Sequence, residues 1–237
     1  MVLPAAALPY GDLKYADLDG DGDLDLVFGP GSLSYTNPHL YWMENKGNRQ
    51  FSELKFVRLA LMPEDTVWRS SDLLNFDADD GREFLIDVQT PSGWSSGDQL
   101  PTHQPFLYDP VTGMAPTGLL APDVNPWYAV DLDNDGQAEI LQFRGKWDES
   151  WVFRVFRRQP EGEFAMTVEI PLVTDRLELD PVARLEVIDL DDDGDLDLSL
   201  QFDYGYHVIL RRTGVDSFEP TPVVVEATDL NAGWADM

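Results

Sequence analysis

Aspartates crowd into short, glycine-containing stretches at four places in the chain, and carboxylates at such spacing can chelate a cation. The first stretch, 17–25, has Asp at positions 1, 3, 5, 7 and 9 and Gly at position 6. Two others, 131–139 and 189–197, keep Asp at positions 1, 3 and 5, Gly at position 6 and an acid at position 9. A divergent copy at 75–83 begins with Asn and carries its Gly at position 7. We number these stretches loops 1 to 4 in chain order.

This pattern predicts calcium sites. Side chains at positions 1, 3 and 5 turn inward, Gly at position 6 permits a positive φ, position 7 offers its carbonyl, and the acid at position 9 closes an oxygen shell of the size that Ca²⁺ prefers over Mg²⁺. Loop 1 also needs a cation, because each pair of its like charges at about 5 Å costs about 0.8 kcal/mol even in water. We expect three well-formed sites and a weaker one in loop 2. The predicted ligands are Asp17, Asp19, Asp21, Asp23 and Asp25; Asn75, Asp77, Asp79, Gly81 and Glu83; Asp131, Asp133, Asp135, Gln137 and Glu139; and Asp189, Asp191, Asp193, Asp195 and Asp197.

Two alternatives compete with chelation as the role of these acids. Asp and Gly favour turns anyway, so a loop could be a solvated turn, above all loop 2 with its neutral position 1. The 44 acidic residues against 16 basic ones could also solvate the surface of a salt-adapted protein. An EF-hand is rejected because it needs Glu at position 12 and flanking helices. Position 12 is instead Phe28, Ile86, Gln142 or Leu200.

The elements that hold the loops recur with them. The loops begin at 17, 75, 131 and 189, so successive copies are 58, 56 and 58 residues apart. Each unit has four short runs rich in β-branched and aromatic residues, which predict strands, and its loop lies between the first two. The predicted strands are 13–16, 24–28, 39–43 and 53–61; 67–74, 84–88, 105–108 and 114–120; 127–130, 140–143, 151–157 and 164–173; and 185–188, 196–202, 206–211 and 221–227.

Four strands in each of four units predict an all-β fold, a β-propeller of four four-stranded blades, each with an Asp-rich calcium loop between its first two strands. Radial packing would cover the sheet faces that a single blade leaves open. A linear stack is the other solution, but its repeats are usually shorter. We expect one propeller domain over 1–237, with blades at about 10–64, 65–122, 123–179 and 180–230.

The stretch YADLDGDGDLDLVFGPG at 15–31 closely resembles the FG-GAP repeat. That repeat and its VCBS relatives build the calcium-binding propellers of integrin alpha subunits, certain fungal lectins and many secreted bacterial proteins. Loops 3 and 4 carry the metal signature without the following Phe-Gly, and loop 2 is divergent. Such propellers commonly have seven blades. Four units imply a small ring, pairing with another chain or part of a longer propeller, and four complete units over 10–230 favour the ring.

Composition restricts location and partners. The net charge of −28 disfavours a nucleic-acid partner. The chain has no Cys for a disulfide or thiolate site and no apolar run long enough to span a membrane. The start, MVLPAAALP, lacks the basic region of an intact signal peptide, so a signal or flanking domain could have been removed. Modest calcium sites would be empty in the cytosol, so we expect an extracellular, cell-surface or periplasmic protein.

The resemblance implies a non-catalytic binding or scaffold module for a protein partner, including a role as a subunit of a larger assembly. Catalysis is not expected, because the only histidines, His39, His103 and His207, stand in no catalytic motif. The remote alternative is a non-catalytic part of a larger secreted enzyme or toxin.

A calcium-dependent lectin is the main alternative, since sugar sites favour aromatics beside polar loops. The candidates for glycan contact, which could equally pack between blades, are Trp94 with Ser92, Ser95, Ser96 and Asp98, and Trp147 and Trp151 with Asp148 and Glu149. Five arginines form a rare basic group that could meet an acidic partner or, as we expect, offset carboxylates of the chain itself. They are Arg154, Arg157, Arg158, Arg211 and Arg212.

Overall fold

The protein is all-β throughout the part of the chain that the structure, a computed structural model, describes. The described residues are 13–28, 39–48, 50–58, 67–77, 79, 81–89, 103–109, 113–119, 127–144, 151–172, 182–202, 206–219 and 223–226. Within them lie eighteen strands and no helix. The chain divides into two compact units, Met1–Ala129 and Val130–Met237, with the boundary inside a strand.

The first unit holds two antiparallel four-stranded sheets whose spatial order follows the sequence. Sheet 1 has the order β1-β2-β3-β4 and sheet 2 the order β5-β6-β7-β8. The strands are β1 (Leu13–Ala16), β2 (Asp25–Phe28), β3 (His39–Met43), β4 (Lys55–Arg58), β5 (Val67–Leu74), β6 (Glu83–Gln89), β7 (His103–Asp109) and β8 (Gly113–Pro116).

Two more four-stranded sheets follow, and the last is interrupted. Sheet 3 has the order β12-β11-β10-β9, and sheet 4 has the order β13-β14-β15-β18, with a separate two-stranded hairpin, β16-β17, inserted before its last strand. The strands are β9 (Trp127–Val130), β10 (Glu139–Arg144), β11 (Trp151–Arg158), β12 (Phe164–Leu172), β13 (Val182–Ile188), β14 (Asp197–Phe202), β15 (Tyr206–Leu210), β16 (Arg212–Gly214), β17 (Ser217–Phe218) and β18 (Val223–Glu226).

These sheets confirm the all-β class, and four of the five have four strands each, while the number of propeller blades stays a prediction. Several predicted bounds, such as 13–16, 39–43 and 127–130, match the observed strands, and the others differ by a few residues at their ends. The β16-β17 hairpin was not predicted, because the sequence around it was assigned to the end of the third strand and a connection. Closure of the four sheets into one ring, and the blade boundaries, stay predictions.

Strand burial follows the position of each strand in its sheet. In sheet 3, residues 139–143 of the interior strand β10 are all buried, because both of its faces are covered. The edge strand β12 buries mainly Val168 and Leu172. Phe143 and Phe153 stack in this sheet with ring centroids 5.1 Å apart, and Phe218 meets Phe153 edge-on at 5.4 Å. The β16-β17 hairpin is therefore part of the apolar core of the second unit.

The core of the first unit adjoins loop 1. Leu18, at position 2 of the loop, is buried in one cluster with Val27 and Trp42 of sheet 1 and Phe84 and Ile86 of sheet 2. Each loop with a described register closes a hairpin, for example between the paired residues Ala16 and Asp25. The sheets thus hold both ends of the loop while one of its side chains is anchored in the core.

Candidate metal centres

Each four-stranded sheet carries one group of three carboxylates in the loop between its first two strands. Within each group, one oxygen of every member lies within 4.8 Å of the others. The groups are Asp17, Asp19 and Asp25; Asp77, Asp79 and Glu83; Asp131, Asp133 and Glu139; and Asp189, Asp191 and Asp197. Loops 1, 3 and 4 therefore contribute positions 1, 3 and 9, whereas loop 2, whose position 1 is Asn75, contributes positions 3, 5 and 9.

The loop backbone bends at the predicted glycine. Gly22, Gly136 and Gly194, at position 6, have φ values of 89°, 92° and 91°, in the region that only Gly adopts readily. Loop 2 differs, since its Gly81 stands at position 7 and does not have a positive φ. The predicted role of the position 6 glycine is thus confirmed for loops 1, 3 and 4.

The carboxylate at position 1 is fixed by the backbone of its own loop. In loop 1, Asp17 accepts hydrogen bonds from the amides of Asp21 at 3.1 Å and Gly22 at 2.8 Å, one on each oxygen. Asp131 and Asp189 accept the equivalent pairs in loops 3 and 4. In loop 2, the Asn75 side chain accepts from the Asp77 amide at 3.0 Å and donates to the Asp79 carbonyl at 2.6 Å.

The acid at position 9 ties the loop shut in all four copies. Asp25 accepts a hydrogen bond from the amide of Leu18, at position 2, over 3.0 Å. The same hydrogen bond, from the amide of position 2 to the carboxylate of position 9, measures 2.7 Å in loop 2, 2.8 Å in loop 3 and 3.0 Å in loop 4. Position 2 is itself apolar, and Leu18, Phe76 and Leu132 are at most 1% exposed. Sequence reasoning missed this anchor, although an apolar residue at position 2 of every copy signals it.

The second oxygen of the position 9 acid reaches the end of the third strand. Asp25 accepts the Asn45 amide at 2.7 Å, and Asp197 accepts the Arg212 amide at 2.8 Å. Asn45 and Arg212 each lie two residues beyond the third strand of their sheet. In loop 3, Glu139 is contacted instead by the Arg157 side chain on β11. The position 9 acid therefore fixes the loop to its sheet and still keeps free lone pairs for a metal.

Burial and neighbouring charges disfavour ionisation of these acids. Burial, with smaller contributions from other loop aspartates, raises the pKa of Glu83 and of Glu139 to about 7. Burial also raises the pKa of Asp25, and burial together with the Asp21 charge raises the pKa of Asp19. A bound cation would reverse this effect by stabilising the charged forms.

The donor set fits a hard divalent cation. Every side chain in the four groups presents oxygen, the ligand atom that Ca²⁺ and Mg²⁺ prefer. Asp19 Oδ1 is buried and has no hydrogen-bond partner among the described residues, an expensive state that a metal ion would relieve. The position 5 carboxylates Asp21, Asp135 and Asp193 lie outside the groups of three and accept the amide of position 7. Their ligand role, and that of the position 7 carbonyls of Asp23, Gly81, Gln137 and Asp195, stay predictions.

The basic group pairs largely with carboxylates of the chain itself, as expected. Arg154 Nε lies 2.7 Å from Glu169 on the neighbouring strand β12. Arg212, only 4% exposed, donates from Nη2 to Asp195 Oδ1 of loop 4 at 2.6 Å and from Nη1 to the Leu132 carbonyl of loop 3. The Arg211 guanidinium comes within 4.0 Å of Asp191. Loops 3 and 4 are thus joined through one buried side chain.

Most of the tryptophan and histidine candidates have side chains outside the part of the chain that the structure describes. The tryptophan candidates for glycan contact, Trp94 and Trp147 with their polar neighbours, lie outside the described residues, as does the side chain of Trp151. His207 is half-buried on β15, paired with Val225, and the side chains of His39 and His103 lie outside the described part. None of the described elements is a helix long and apolar enough to cross a bilayer.

Comparison with known proteins gives no relative from which a role could be transferred. The sequence matches no protein-family model, and a search of curated proteins finds no significant match. A role for this chain therefore follows only from the geometry of its loops.

Proposed function

We propose that this chain is a non-catalytic, calcium-stabilised β-propeller that serves as an extracellular binding or scaffold module. The observation that carries the proposal is the recurrence of one acidic group at the same place in four successive sheets. A single acidic cluster is common on protein surfaces. Four copies, each closed by the same hydrogen bond between position 9 and position 2, support a common role in binding metal.

Calcium is the ion that the loops suit best. It accepts six to eight oxygens in flexible geometry, whereas Mg²⁺ demands a near-ideal octahedron and keeps its waters. Loops that supply three clustered carboxylates match the looser requirement. We expect dissociation constants of roughly 10⁻⁴ M or tighter, in the range of extracellular calcium modules.

Such sites would contribute substantially to stability. One site with a dissociation constant about 100-fold below the ambient calcium concentration stabilises the folded state by about 2.7 kcal/mol. Several sites could together match the whole stability of an ordinary domain, about 5–15 kcal/mol. In a chain without cysteine, bound calcium would take the stabilising role that disulfides have in many secreted proteins. This dependence supports a location where calcium is millimolar.

Thermal unfolding of the metal-stripped chain tests the proposal. The midpoint is measured in chelator and then with millimolar Ca²⁺, Mg²⁺ or matched NaCl at constant ionic strength. We expect a rise specific to Ca²⁺. An equal rise with any salt would mean that the acidic residues solvate the surface, and the calcium function with its extracellular placement would be abandoned.

The partner is proposed to be another protein, with a glycan as the alternative. Affinity capture with the calcium-loaded chain from extracellular fractions, compared with the stripped chain, is expected to retain one protein partner. Binding to a glycan array only in calcium would instead support the lectin. Turnover of a substrate that survives mutation of the metal loops would contradict both.

A further inference from the structure

In loop 3, unlike loop 1, a positively charged side chain of the protein itself contacts the carboxylates of the acidic group. Arg157 Nη1 lies 2.8 Å from Asp133 Oδ2 and 2.5 Å from Glu139 Oε1. One nitrogen therefore contacts two of the three carboxylates in the acidic group of loop 3. The hydrogen bonds described for the carboxylates of loop 1 come from backbone amides instead.

The same guanidinium is also held by groups outside loop 3. Its Nε donates to Asp216 Oδ1 at 2.7 Å, and its Nη2 donates to the Val215 carbonyl at 3.1 Å. Both partners lie in the turn between β16 and β17. Thr167 of β12 fixes Asp216 with a further hydrogen bond of 3.1 Å. Arg157 thus has a second carboxylate available whenever the loop 3 acids are taken by another cation.

We infer that Arg157 is an affinity-determining residue of the third calcium site, an internal cation that neutralises Asp133 and Glu139 in the metal-free protein and lowers calcium affinity there. The inference rests on the calcium-binding function proposed above. When both are ionised, Asp133 and Glu139 repel each other, and the guanidinium relieves that repulsion without metal. An incoming Ca²⁺ must displace the contact and bind beside a positive charge. At about 5 Å in a water-like dielectric, repulsion between a unit charge and a divalent ion corresponds to a little over tenfold in Kd.

Calcium titration calorimetry of the full metal-free chain, with circular dichroism to monitor folding, tests this role. Arg157→Gln is expected to tighten one site about tenfold, with the number of sites unchanged, and to lower the unfolding midpoint in chelator. Adding Asp131→Asn, which alters a loop 3 carboxylate outside the Arg157 contacts, should abolish the tightened site. Arg154→Gln is the matched control, because Arg154 lies on the same strand but pairs with the exposed Glu169. It should leave calcium binding unchanged.

Asp216→Asn gives an independent test with the opposite sign. Without the Asp216 carboxylate, the Arg157 guanidinium has no alternative charged partner outside loop 3 among the described residues. Displacing it from loop 3 then costs more free energy, so calcium should bind one site more weakly. In the Arg157→Gln background the same change should have little effect, since the guanidinium on which it acts is gone.

The outcomes separate the inference from the proposed function. A wild-type chain that binds no calcium refutes the function and the inference together. A wild-type chain that binds calcium, with unchanged or weaker binding in folded Arg157→Gln, overturns the inference alone and makes Arg157 a structural support of the site. If Arg157→Gln does not fold, unchanged or tighter binding in Asp216→Asn overturns it just as directly.

Discussion

Replacing Asp25 by Asn separates the structural role of a loop carboxylate from its role as a metal ligand. Asp25 is 0% exposed and accepts two backbone amides, from Leu18 at 3.0 Å and from Asn45 at 2.7 Å. The side chain of Asn can replace only one of these acceptors, because its NH₂ group is a donor. Asp25→Asn therefore leaves one backbone amide facing another donor in the protein interior.

The expected loss of stability follows from two opposing effects. Losing a hydrogen bond to a charged group costs about 1.5–3 kcal/mol. Removing one negative charge from loop 1 relieves repulsion, above all by Asp19, and one pair of unit charges at about 5 Å in water contributes about 0.8 kcal/mol. The metal-free variant should therefore be less stable by about 1–2 kcal/mol. For a chain of this length, that lowers the unfolding midpoint by roughly 2–8 °C.

Asp21→Asn is the matched control in the same loop. Asp21 is exposed, and its described hydrogen bond, from the Asp23 amide at 2.9 Å, needs only an acceptor that Asn also provides. In chelator its midpoint should equal that of the wild type or exceed it by a few degrees, because only repulsion is removed. Calcium should raise the unfolding midpoint of both variants by less than it raises that of the wild type.

Thermal unfolding followed by circular dichroism, in chelator and in calcium, distinguishes the structural role of Asp25 from its role as a metal ligand. A midpoint for Asp25→Asn equal to that of the wild type in chelator would refute the structural role of the position 9 carboxylate. A fall of similar size in Asp21→Asn would show that repulsion among the loop aspartates does not govern the metal-free state.

Three further predictions concern the remaining loops. Gly136→Ala, at φ 92° with no atom within 4 Å of the new Cβ, should cost only backbone strain, about 1–2 kcal/mol in urea unfolding, and a larger loss would mean hidden crowding. Phe76→Ala removes a side chain with 0% exposure and should cost about 3–5 kcal/mol, so near-wild-type stability would argue against the position 2 anchor. Because the pKa of Glu83 and of Glu139 is raised from 4.5 to about 7, ionisation opposes folding, and metal-free stability should fall as pH rises from about 4.5 to 7. Glu83→Gln should flatten that slope, and an unchanged slope would assign it to other groups.

Local patterns in the sequence predicted the elements and the loops well. Runs such as 39–43 alternate or cluster apolar residues between turn-forming residues, and β3 has those bounds. The positive φ at position 6 could also be predicted locally, because at Gly22 it depends only on the absence of a Cβ atom in that residue. In loops 1, 3 and 4 the spacing predicted that positions 1, 3 and 9 come together, but it also grouped with them position 5, which lies outside these groups.

Contacts between distant residues could not be predicted in this way. Arg212 reaches the carbonyl of Leu132, 80 residues earlier, and Arg157 reaches Asp216, 59 residues later. No local pattern states which of five arginines will meet which loop. The double role of the position 9 acid was missed for a related reason, since its second partner, such as Asn45 for Asp25, follows from sheet register.

The hydrogen bond between positions 9 and 2 has a kinetic consequence. It spans seven residues in every loop, so closing it costs little chain entropy and takes on the order of 10–100 ns. Each first hairpin can therefore set its register early, independently of the others. The Arg212 contact to Leu132 must wait until the third and fourth repeats are both in place. The chain would thus assemble from four self-closing hairpins, with the buried arginine joining two of them late.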